Sequence, residues 1–176
     1  MDAHRPKRAC DLSEETEGLR LTFRDTARAM SQENVEIVRQ LQPGPQVDFM
    51  ELFTRDGTDA EVEATVEAVA PAFTDDFVCI FHALSGEPRP GVRGLREGWL
   101  DWLAPWVSYR AEIEKLIDAG DQVVVLVRDF GRRPGMEMEV ELHGTAVWTV
   151  RDGKIARAEF FAADREAAFA AAGLSE

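Results

Sequence analysis

Apolar positions first recur at helical spacing after Ser31, where Val35, Val38 and Leu41 share one face before Pro43-Gly44-Pro45 interrupts the chain. Ser31 stands where a cap is expected, with Glu33 in the first turn. A second helix is predicted from Thr58-Asp59, with Val62, Val66, Val69 and Phe73 in a single stripe and Pro71 as its stop. Phe77–Leu84 is an apolar run too short for a helix and reads as the first main strand, followed by a turn region around Ser85-Gly86 and Pro88/Pro90. Helical spacing returns from about Gly94, where Leu95, Trp99, Trp102 and Trp106 lie on one face and Pro105 kinks or ends the last turn.

Beyond that point the period becomes two. Tyr109, Ala111 and Ile113 alternate with Arg110, Glu112 and Glu114, the pattern of a strand with one wet face. After a turn at Asp118–Asp121, Val123–Val127 is apolar on both sides, so that strand must be central and covered twice. Met136–Val150 is long for one strand, and Gly144 marks a bend or bulge in it. Asp152-Gly153 signals a two-residue hairpin, the last strand runs through about Ala162, and Asp164 caps a short helix that ends near Gly173. The fold expected is α+β: helices packed on the concave face of a curved antiparallel sheet.

Residues 1–29 lack such periodicity and carry six basic and six acidic side chains, so they are expected to form a flexible leader ahead of a domain over 30–176. The net charge of −13 then belongs wholly to residues 30–176. That charge repels phosphate backbones and anionic lipid, so neither nucleic acid nor membrane is expected as a partner. No apolar run has the length of a spanning helix or the character of a secretory signal, and a cytoplasmic location is expected. Cys10 and Cys79 form neither a disulfide framework nor a metal-ligand pair, and Cys79 reads as a small buried hydrophobe. No metal-ligand spacing, phosphate-cradling glycine loop or nucleophile elbow occurs, so no cofactor and no metal are expected.

The order of elements resembles the cone-shaped nuclear transport factor 2-like fold. Several segments carry the likeness further: residues 30–39 (MSQENVEIVR), 94–97 (GLRE), 117–121 (IDAGD), 147–155 (VWTVRDGKI) and 172–174 (AGL) look like those of bacterial SnoaL-like proteins of that superfamily. The resemblance covers about residues 30–174 and implies a fold rather than one activity, since this cone hosts isomerases, cyclases, hydrolases, dehydratases and binding modules. The steroid-isomerase branch implies an aspartate on the first main strand, but Phe77–His82 holds no carboxylate and the first helix no tyrosine. The Asp-Arg-Asp arrangement of the epoxide-hydrolase branch is not placed by motif either, although Arg128-Asp129 leaves a carboxylate near the sheet.

Counting back from the Asp152-Gly153 turn without a bulge pairs Thr149 with Ala156, Val147 with Ala158, Thr145 with Phe160 and His143 with Ala162. That small, apolar face is expected to line a pocket, the opposite one carrying Trp148, Val150, Ile155, Arg157, Glu159 and Phe161. His143, His82 and Asp129 are the candidate acid/base residues, because an imidazole in an apolar strand titrates near neutrality and Asp129 lies beside the sheet. Each has a plainer reading: a satisfied core or rim histidine, and an aspartate paired with Arg132 or Arg133. Which side of its strand carries His82 is left open. Trp99, Trp102, Trp106 and Tyr109, with Thr145, Val147, Ala158 and Phe160, are the expected pocket lining, although a tryptophan stripe also suits plain core.

Two functional classes follow. One is an apolar pocket for a small molecule with cofactor-free acid/base chemistry of isomerase, cyclase or hydrolase type; the other is a non-enzymatic module that binds a small ligand or dimerises. The apolar strand Val123–Val127, with Trp148, Val150, Ile155 and Phe161, also leads to an expected homodimer through the outer sheet face.

Overall fold

A computed structural model describes residues 29–53 and 58–175. The expected leader, apart from its last residue, lies outside the described residues. Helix α1 (29–41) ends just before the Pro-Gly-Pro stop, and Val38 is fully buried, with Val35 and Leu41 packed beside it. Ser31, expected as the cap, lies inside the helix, where its hydroxyl donates to Asp118.

A short α2 (Phe49–Phe53) follows, which periodicity over so few residues did not announce. Asp48 holds it in place: its Oδ1 accepts from Met50 N at 2.8 Å and from Tyr109 N at 3.2 Å, tying the helix start to the sheet. Thr58 and Glu61 close a reciprocal capping box at the head of α3 (Asp59–Val69). A 3-10 turn over Ala70–Ala72, containing Pro71, passes the chain into β1 (Phe73–Phe81). Strand β2 (Arg89–Pro90) then leads into α4 (Gly91–Leu103). Gly98 lets α4 approach β1 closely, since a Cβ there would lie 2.2 Å from the Phe81 ring.

The remaining strands are β3 (Ser108–Ala119), β4 (Gln122–Arg132), β5 (Val140–Arg151) and β6 (Lys154–Ala162), followed by α5 (Arg165–Ala171). Six strands form one curved, unclosed sheet in the order β2-β1-β6-β5-β4-β3, with β1 and β6 parallel and every other pair antiparallel. The tight turn is formed by Asp152 and Gly153, both at positive φ. Gly144 is regular in its pairing with β4; the irregularities fall elsewhere.

Those irregularities correct the expected faces. Between Val150↔Ile155 and Thr149↔Arg157, Ala156 is an extra residue, and Phe161 is a second between Ala146↔Phe160 and Thr145↔Ala162. One extra residue reverses which side chains share a face. Ala146, Trp148, Val150, Ile155 and Ala158 therefore join Val123, Val125 and the helices in the inner core, whereas Val147 lies on the other side with Val124, Leu126 and Phe161. That outer surface is not bare. Helix α5, capped by Asp164, which accepts from Ala167 N at 3.0 Å, lays Ala168, Phe169 and Ala172 on it. The uncovered apolar face from which a homodimer was expected is thus absent at this end of the sheet, because the chain covers it with its own last helix.

Candidate functional site

Between the concave sheet and helices α1 to α4 lies a cavity of about 460 Å3. Its walls are apolar because each element turns its hydrophobic stripe inward: Val62 and Val66 from α3, Trp99 and Trp102 from α4, Val125 and Val127 from β4, Trp148 from β5. Phe49 and Phe53 of α2 complete an aromatic side, with Phe53 stacked on Trp99 at 5.5 Å and Phe49 edge-on to it at 5.0 Å.

Among the described residues, one acidic group is buried in this lining. Asp129 of β4 is 7% exposed and shares the inward side of its strand with Val125 and Val127. The Tyr109 hydroxyl is placed as a donor toward its carboxylate and the Trp102 indole N–H as a donor toward the Tyr109 oxygen, so α4, β3 and β4 meet at this point. Burial pushes the Asp129 carboxyl up to about 6, against the smaller opposing pulls of the Tyr109 hydrogen bond and the charge of His143. Burial and the neighbouring Asp129 charge raise the Tyr109 phenol, which stays protonated as a donor. Gly144 of β5 adjoins the same carboxylate.

The other expected site residues separate. His143 projects from the outer side of β5 with a side chain 67% exposed, 3.8 Å from Glu114 and 3.9 Å from Glu141, because it precedes Gly144 and the strand alternates. It does not reach the cavity. His82 also lies outside: its Nε2 is 2.9 Å from Glu159, which in turn accepts from Arg157 Nε at 2.6 Å, and its ring stacks on Phe161. The set turned inward on β1 is Phe77, Cys79 and Phe81. Asp129, whose plainer reading is an arginine-paired surface group, is the candidate that the fold brings to the cavity. It lies with Trp99, Trp102, Tyr109, Thr145 and Phe160 in the lining. Trp106 packs beyond α4 against Gly131 and Tyr109, Val147 lies under α5, and Ala158 is buried in the core. Trp148, Phe81 and Gly144 were missed as pocket residues; the β5 pair depended on where the bulges fell, and Phe81 on the open choice between the two sides of β1.

The cone of helices on a curved sheet, enclosing an apolar cavity with one buried carboxylate, has the nuclear transport factor 2-like architecture. The model of the SnoaL-like domain family matches residues 48–158, more than half of the chain, and the chain belongs to that family. Among solved structures, it is similar to a protein from Jannaschia sp. CCS1 described as a SnoaL-like polyketide cyclase (20% identity, 82% of this chain and 94% of that one, TM-score 0.55). It is also similar to Bal32a from a soil-derived mobile gene cassette (12% identity, 76% and 92%, TM-score 0.52). A third likeness, to a ketosteroid isomerase-like fold from Catenulispora acidiphila DSM 44928, has 19% identity over 68% and 96% with TM-score 0.46. No curated protein matches significantly. Among the described residues, no helix is long and apolar enough to cross a membrane.

Proposed function

We propose that the cavity takes up a small, largely apolar molecule and that Asp129 exchanges a proton with it. The observation carrying this reading is the placement of Asp129: a buried carboxylate in an apolar cavity, titrating near 6, holds its proton below neutrality and is a desolvated base above it. Tyr109 is the positioning residue, since its hydroxyl acts on the carboxylate as a donor. Trp148 adds its indole to the apolar lining beside the carboxylate.

A carbon-acid probe stands in for the natural substrate and tests the reading. In 5-nitrobenzisoxazole a base removes the C3 proton as the N–O bond breaks, giving a coloured cyanonitrophenolate. Turnover should rise with pH through about 6, and Asp129→Asn should lower it roughly a hundredfold or more. Equal turnover by the variant would show that Asp129 is not the base.

The alternative, a module that only binds or dimerises, is tested by the same comparison and by light scattering. A homodimer through the outer sheet face would have to use its charged end, around Arg110, Glu112 and Arg128, because α5 occupies the apolar end.

A further inference from the structure

The carboxylate of Asp129 is reached by the Tyr109 hydroxyl and, from the other side of the sheet, by the charge of His143; among the described residues no lysine or arginine pairs with it. A buried carboxylate without a cation is costly, and filling the cavity with a neutral molecule would strip it of the remaining water without compensation. Around it runs a continuous aromatic wall. Tyr109 meets Phe49 at 5.8 Å and Trp102 at 6.4 Å, Phe49 meets Trp99 at 5.0 Å, and Trp99 meets Phe160 at 5.3 Å. Aromatic faces attract cations, most strongly where water is excluded.

We propose that the cavity selects a hydrophobic organic cation, an amine or quaternary ammonium on an apolar frame, with Asp129 as its counter-ion and the aromatic rings as the rest of its shell. This rests on the reading of the cavity as the ligand site. Among the described residues, the other charged members of the lining, Glu61 and Arg96, are one of each sign, so Asp129 tips their balance to negative. A net charge of −13 favours the approach of cations over anions. The two roles of Asp129 are compatible, because a positive centre acidifies the C–H and N–H bonds beside it.

Benzyltrimethylammonium and neopentylbenzene have the same shape and differ in charge. Each is titrated against the full chain holding the neutral fluorescent probe N-phenyl-1-naphthylamine. At pH 7.5 the cation should displace the probe at a concentration at least roughly tenfold lower than the hydrocarbon. Asp129→Asn should bring that ratio close to one, and so should wild-type protein at pH 5, where the carboxyl is protonated. The groups facing Asp129 are Tyr109 from β3, Gly144 from β5 and, across the sheet, His143. If the hydrocarbon competes as well as the cation, or the variant keeps the preference, the cation proposal falls while the small-molecule site stands. If the probe and both competitors fail to bind, both readings fall.

Discussion

Gly144 stands against the carboxylate of Asp129 across the β4–β5 pairing: a Cβ on Gly144 would lie 2.6 Å from Asp129 Oδ2 and 2.8 Å from Val127 Cγ2. The missing side chain leaves the space that the carboxylate occupies. Gly144→Ala should therefore displace Asp129, lowering turnover of the benzisoxazole probe at least about tenfold and stability by about 1–3 kcal/mol. Urea unfolding and initial rates measure the two effects, and a variant with both unchanged would contradict this account of the contact.

Asp129 should lower the stability of the fold at neutral pH. An acid with a folded value of about 6 and an unfolded value of about 3.9 binds its proton more tightly when folded. Its contribution favours the fold below about pH 4 and is lost as pH rises through about 6. Asp129→Asn should then gain up to about 3 kcal/mol at pH 7.5 and little at pH 4. Urea titrations at both values decide it; a variant less stable at pH 7.5 refutes the sign.

Tyr109, 2% exposed, donates to Asp129 and so opposes the upward pull of burial. Tyr109→Phe removes that donor, and the pH midpoint of probe turnover should move above about 6. An unmoved midpoint would mean that the hydroxyl does not act on the carboxylate.

His143→Ala should change probe turnover by no more than roughly twofold, because an exposed side chain interacts weakly with a charge across the sheet. A large loss would place His143 among the catalytic groups after all.

Phe169 anchors α5 over Val124, Leu126, Val147 and Phe161. Phe169→Ala should cost about 3–5 kcal/mol by urea unfolding. Full stability in the variant would mean that the helix does not seal the outer face.

Local pattern sufficed for what is local. Thr58, Pro71, Asp152-Gly153 and Asp164 mark their turns and caps by side-chain chemistry within a few residues, and all four act where that chemistry places them. The double apolar character of Val123–Val127 also required a central strand covered on both sides, whatever the cover.

Tertiary structure decided the identity of that cover and the composition of the site. A strand apolar on both faces does not tell its two sides apart, so nothing in β4 alone assigns Asp129 to the cavity. Counting from the turn at Gly120 without interruption sets Ala111 opposite Phe130. The extra residue Glu114 moves Ala111 opposite Asp129 and turns Tyr109 to the same side. The bulges at Ala156 and Phe161 likewise put Trp148 inside and Val147 outside. With a side-chain period of two, each single-residue shift exchanges the faces, and its position is set by packing against helices far away in sequence.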